Sequence, residues 1–205
     1  MLRAPPGRKG KTVSLDIDVK NSTWRICLRW GKNEQPAVVG DIDFQGRVTL
    51  PPGHDVVLKK LQMNGEFHVR EAHFSNEKMS NAVDELSRRG QGKVRDEAIQ
   101  DVAAEVAGNF PFQATVLNFR CLDFTVPGVE AQMKGSYGLK SEVFDFTGDV
   151  RLEATVSRVI GGAKGLALKP CDPIFIKHAA GTYLPLEIKG SRDHPQVKVL
   201  WEKLF

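Results

Sequence analysis

The sequence predicts a mainly β protein with minor α content: an antiparallel meander sheet curled into a groove or partial barrel, with one or two short helices. Three observations predict it. Apolar and polar residues alternate with period two along most of the chain, turn-forming residues punctuate the runs, and no long helical crossover separates them.

Val13, Leu15, Ile17 and Val19 alternate with Ser14, Asp16 and Asp18, the pattern of a strand with one buried face. Asn21, Ser22 and Thr23 then offer a helix cap. From Trp24 to Trp30 the residues fit a helical face (Trp24, Cys27, Leu28) or a strand face (Trp24, Ile26, Leu28, Trp30), and the cap favours a short helix. Val38, Gly40, Ile42 and Phe44 against Asp41 and Asp43, followed by Val48 and Leu50 before Pro51-Pro52-Gly53, read as a hairpin. Met63, Gly65, Phe67 and Val69 mark another strand.

Met79, Val83 and Leu86 keep helical spacing within residues 75–89, and Gly90 supplies a stop. Residues 91–95 read as loop, and Ile99, Val102 and Val106 suggest a second short helix over 96–106. Thr115, Leu117 and Phe119 alternate before the apolar phase passes to Leu122, Phe124 and Val126, which predicts a bulge near Arg120 and Cys121. Pro127-Gly128 turns the chain into Val129, Ala131, Met133, Gly135 and Tyr137. The longest alternation follows, from Phe144 and Phe146 through Gly148, Val150, Leu152 and Ala154 to Val156. Residues 160–169 read as a short helix or loop, and Pro170 and Pro173 punctuate. Thr182, Leu184, Leu186 and Ile188 form a strand, and Val197, Val199 and Trp201 close the sheet. One face of this sheet is apolar throughout, and two short helices cover only part of it. That shortage of cover is the physical reason to expect a groove.

The 205 residues are 41% hydrophobic and 26% charged, with a net charge of +4 spread among acidic neighbours, which argues against disorder and against a fully membrane-embedded chain. The densest basic run, Arg3, Arg8, Lys9 and Lys11, reads as a frayed start. No stretch reaches the roughly 20 apolar residues of a membrane span, and the first residues lack the apolar core of a secretion signal. Taken literally, that pattern describes a soluble cytoplasmic chain; the alternative is an anchor lying upstream.

Chemistry-bearing clusters are sparse, so neither an enzyme nor a cofactor is expected. Cys27, Cys121 and Cys171 lack metal or disulfide spacing and read as small buried hydrophobes. His68 and His73 fall on opposite faces of a regular strand, so they hold a metal only if a bulge intervenes. Cys171 and His178 lack an activating neighbour. Gly90-Gln91-Gly92-Lys93 follows a helix instead of a strand, which reads as a helix stop and not a phosphate loop. Gly161, Gly162 and Gly165 lack a βαβ setting. Asp145, Asp149 and Glu153 lie opposite the phenylalanines, where carboxylates solvate a sheet. Arg88, Arg89, Lys93 and Arg95 make a small basic loop with no interleaved aromatics, and nucleic acid is not expected.

Four stretches together resemble the AsmA-like C-terminal region of bacterial envelope proteins. They are Gly40-Asp-Ile-Asp-Phe-Gln-Gly-Arg-Val-Thr-Leu-Pro-Pro-Gly53, Asp84-Glu-Leu-Ser-Arg-Arg-Gly-Gln-Gly92, Phe124-Thr-Val-Pro-Gly128 with Gly135-Ser-Tyr137, and Leu168-Lys-Pro-Cys-Asp-Pro173 leading to Gly181-Thr-Tyr-Leu-Pro185. The resemblance runs from residue 38 to the C-terminus and leaves residues 1–37 as a poorly matched segment, the end of a preceding repeat. It implies a periplasmic protein held at the inner membrane by an upstream anchor and related to the TamB and YhdP group of bridge-like proteins. Such proteins carry phospholipid acyl chains along a hydrophobic β-trough and serve outer-membrane biogenesis. The partners implied are phospholipid or another membrane lipid and other envelope proteins; the competing expectation is a scaffold assisting outer-membrane protein assembly. On the apolar face, the acyl-chain contacts expected are Phe119, Val129, Ala131, Met133, Phe146, Val150, Leu152, Leu184, Leu186 and Ile188, each of which also serves as plain core.

Overall fold

Alternation over so many short runs yields one sheet. The computed structural model describes residues 10–26, 38–75, 77–154, 182–191 and 194–200. Among these, nine strands pair antiparallel in chain order: β1 (Val13–Ile26), β2 (Val38–Leu50), β3 (Gln62–Phe74), β4 (Ala104–Gln113), β5 (Val116–Val126), β6 (Val129–Gly138), β7 (Val143–Leu152), β8 (Thr182–Ser191) and β9 (His194–Val199). The mainly β meander expected from the sequence is therefore the architecture found. The sheet is open, with β1 at one edge and β9 at the other. Helix α1 (Val57–Lys60) lies between β2 and β3, and α2 (Glu77–Gly90) between β3 and β4. β1 precedes the boundary expected at residue 38 and pairs with β2 along its length.

Register keeps one face apolar from edge to edge. Val19 opposes Phe44, Phe44 opposes Phe67, Val106 opposes Phe124, Ala131 opposes Val150, Val150 opposes Leu184 and Ile188 opposes Val197. Directly opposed residues in antiparallel strands share a face, so a slip of one position anywhere would turn that strand's apolar set to water. Bulges preserve the phase where the sequence shifts it. Asn21 and Glu71 adopt left-handed φ of 47° and 48°, and the register shifts between Phe119 and Leu122, as expected near Arg120 and Cys121.

Alternating direction sorts the connections. The β2–β3, β4–β5 and β6–β7 connections lie at one end of the sheet, the hairpin end; α2 and the Pro127-Gly128 turn lie at the other, the helix end. At the helix end Val83 packs with Val69, Ala72, Ala104, Val126, Val129, Val150 and Leu152, all buried, and Leu86 adds to them. The helix closes in a Schellman motif: the Lys93 N–H donates to the Arg88 carbonyl (2.8 Å), the Gly92 N–H to Arg89 (3.0 Å), and Gly92 takes φ 70°. Ser87, fully buried, donates to the Pro127 carbonyl at 2.8 Å. A Cβ on Gly90 would stand 2.3 Å from Val129 Cγ2. The stretches 84–92 and 124–128, separate motifs in the sequence, thus interlock.

Three sequence expectations change. β1 continues as strand through Ile26, so the short helix expected from Trp24 is absent as far as residue 26; the would-be cap is a bulge whose Asn21 N–H donates to Asp43 Oδ1 at 2.7 Å. Residues 38–50 form one strand, not a hairpin. Their apolar pattern lapses at Gly46 because Gly46 faces Gly65 and the Phe44 ring fills the space over both. Residues 96–103 form turns instead of a helix, and Val106 joins β4 opposite Val69 and Phe124. Buried Asp84 pins that segment by accepting the Val102 N–H (2.9 Å) and the Asp101 N–H (3.2 Å). Cys27, Cys171, His178, Gly161, Gly162, Gly165, Trp201 and residues 160–173 lie outside the described residues.

Candidate functional site: the apolar face of the sheet

The apolar face has two halves. Beneath α2 it is aliphatic and closed. Toward the hairpin end it is aromatic, because Phe67, Phe110, Phe119, Phe144 and Phe146 arrive there from four strands. Ring centroids lie 6.1 Å apart for Phe67–Phe110, 5.7 Å for Phe110–Phe119, 5.7 Å for Phe119–Phe146 and 6.5 Å for Phe144–Phe146, all tilted. Phe67 and Phe119 sit two strands apart, as do Phe119 and Phe146, a separation of about 9.6 Å in a flat sheet. Their rings nevertheless approach to 6.5 and 5.7 Å. They lean together over the strand between, which fits a sheet curled toward this face.

Glycine makes the approach possible. Gly135 is the residue opposite both Phe119 and Phe146, and a Cβ there would stand 2.1 Å from the Asp145 carbonyl and 2.8 Å from Phe146 Cδ1. Gly108 does the same beneath Phe67, whose Cε1 lies 3.1 Å from the Cβ position. In-phase glycines were visible in the sequence as gaps in apolar runs. Their consequence, that rings from flanking strands meet above them, was not.

All ten residues expected to contact acyl chains lie on this one face. Val129, Met133, Val150 and Leu152 are buried, and Val129, Val150 and Leu152 belong to the cluster beneath α2, with Ala131, Leu184 and Leu186 packed against it. Phe119, Phe146 and Ile188 are half-buried in the aromatic half. Phe67, Phe110 and Phe144 share that half and were missed, since each alone reads as an ordinary strand residue.

The opposite face is polar and internally paired. Its hollows include one of about 720 Å³ bordered by Arg70, Glu105, Glu130 and Arg151 and one of about 550 Å³ bordered by Asp43, Glu66 and Asp123. Asp43 accepts from Arg70 and from the Asn21 backbone, contacts that hold its carboxyl below the ordinary value. Arg47 donates to Asp16 at 2.6 Å with the same effect on Asp16. Asp145 pairs with Lys189 (3.7 Å) opposite the phenylalanines, as expected. Burial pushes the Cys121 thiol up, and Asp123 at 3.4 Å adds to this, so the nucleophilic thiolate is disfavoured.

The bulge at Glu71 corrects one expectation: it brings His68 and His73 onto the same, polar face. They nevertheless engage different carboxylates, His68 Nε2 with Glu105 at 2.5 Å and His73 Nδ1 with Asp101 at 3.0 Å. Among the described residues no three His, Cys, Asp or Glu side chains gather as a metal site, and no helix is long and apolar enough to cross a membrane. Comparison with protein-family models, curated proteins and solved structures finds no match to this chain.

Proposed function

We propose that this chain is a non-catalytic periplasmic envelope-biogenesis module that binds or conducts phospholipid acyl chains along the apolar face of its sheet. The observation that carries the reading is the mismatch of area among the described residues: the apolar face spans nine strands, while α2 covers only its helix end. Each methylene withdrawn from water against such a face contributes about 0.8 kcal/mol, so an acyl chain is retained without a polar anchor and with little headgroup selectivity. The resemblance to the AsmA-like C-terminal region supports the same reading and supplies its location, the periplasm beside the inner membrane, and its partners, membrane lipid and other envelope proteins.

Native mass spectrometry of the purified chain, followed by organic extraction, tests it. Phospholipid is expected to co-purify and to be lost in Phe119→Asp with Phe146→Asp while the circular dichroism of the sheet persists. A lipid-free, monodisperse protein would overturn it and favour a second reading, a scaffold assisting outer-membrane protein assembly. One observation favours that alternative: among the described residues β1 is a 14-residue edge strand paired only with β2, an edge of the kind that accepts a partner's strand.

A further inference from the structure

The hairpin end carries an unusual surface. Of the ten large hydrophobic side chains most exposed among the described residues, six stand there: Val13 (61%), Val56 (66%), Val57 (57%), Leu58 (44%), Leu139 (42%) and Val143 (48%). They come from the start of β1, the β2–β3 connection with α1, the β6–β7 connection and the first residue of β7. Among the described residues, which leave out the helix-end connections 27–37 and 155–181, Met79 and Tyr183 are the exposed large hydrophobics at the helix end. The two groups, one at β1 to β3 and one at β6 to β7, span about 29 Å along the sheet at ~4.8 Å per strand, with no exposed large hydrophobic from the β4–β5 connection between them. Lysines flank them: residues 10–12, 51–61, 114–115 and 139–142 contain Lys11, Lys59, Lys60 and Lys140 against two acids, Asp55 and Glu142. Within α1, Val57 and Leu58 directly precede Lys59 and Lys60.

From this geometry we infer that the hairpin end is a lip that docks on an anionic phospholipid bilayer. Exposed aliphatic side chains spread over the start of β1, the β2–β3 connection and the β6–β7 hairpin match an extended surface better than they match the pocket of a folded partner. Aliphatic tips enter the headgroup boundary while neighbouring lysines remain at the anionic surface. The aromatic half of the apolar face lies beside this lip, so an acyl chain leaving the bilayer there would meet the phenylalanines first. This consequence rests on the acyl-chain reading; the docking itself does not.

Flotation of the full chain with vesicles tests the inference, using phosphatidylcholine alone and phosphatidylcholine mixed with phosphatidylglycerol. The chain should float with the mixed vesicles, and Val57→Asp with Leu58→Asp should lower its partition by about tenfold or more. Lys59→Glu should produce a smaller loss, and added salt should lower flotation of the unsubstituted chain in the same way. Both sites are exposed, and circular dichroism checks that the variants fold. Equal flotation of chain and aspartate variant would overturn the lip. So would absence of flotation with a concentration-dependent dimer that the aspartates dissolve, which would assign the surface to a second copy. Lipid co-purifying with the aspartate variant separates the two readings, since it would show the groove working without the lip, whereas docking by a lipid-free protein would leave the lip and remove the groove.

Discussion

The two halves of the apolar face solve the same problem differently. At the helix end small and branched aliphatics (Val69, Ala72, Ala104, Val129) leave room for α2, and the helix supplies the missing layer through Val83 and Leu86. At the hairpin end bulky rings stand over glycines, and the sheet covers itself by letting side chains from alternate strands meet. A face closed by a second layer loses its groove; a face covered by its own rings keeps one side open. On the proposed acyl-chain reading, that difference assigns the ligand to the hairpin end, and it changes which substitutions are informative.

The largest effect belongs to the closed half. Leu152→Ala removes a side chain only 4% exposed and should cost about 2–5 kcal/mol in urea unfolding, with little specific effect on bound lipid per folded molecule. Leu152 is thus a probe of stability and not of binding, and Phe119 and Phe146 are the better binding probes. If Leu152→Ala and Phe146→Ala proved equally costly, the division into closed and open halves would fail.

Next comes the glycine that lets the rings meet. Gly135→Ala forces a methyl against the Asp145 carbonyl and the Phe146 ring, and a cost of about 1–3 kcal/mol is expected, with altered near-ultraviolet circular dichroism from the displaced phenylalanines. An unchanged spectrum at full stability would mean that the rings do not depend on that gap.

The smallest effect is electrostatic and lies on the polar face, where it links the β1 bulge to β2 and β3. Arg70 and the Asn21 N–H hold the Asp43 carboxyl below its ordinary 3.8, so the folded chain binds this proton less readily than the unfolded one. The resulting stability is complete above the ordinary value and is lost as pH falls through the depressed one. Asp43→Asn should flatten that part of the acid-side decline in melting temperature; a slope identical to that of the unsubstituted chain would deny the contact any role.

Much of the sheet was legible because alternation records, residue by residue, which side chains face water. The strands at Val13, Met63, Val129, Phe144 and Thr182, the bulge near Cys121 and the helix around Val83 were all readable in this way. The failures have local causes. Asn21 suits a helix cap and a left-handed bulge equally well, and only the Asp43 carboxylate across the strand pair selects the bulge. Gly46 resembles a turn until Gly65 and the Phe44 ring are placed beside it. Val106 keeps helical spacing with Val102, yet pairing with Val69 and Phe124 outweighs it.

By itself the sequence determined the fold class, the strand order and the existence of one apolar face, because period-two burial and short turns are local properties. Tertiary structure alone decided how that face is divided. Whether Leu152 lies beneath a helix, whether Phe119 meets Phe146 across Gly135, and whether Val57 and Leu139 stand at the same end depend on register between residues far apart in the chain. Local patterning carries no record of such distances.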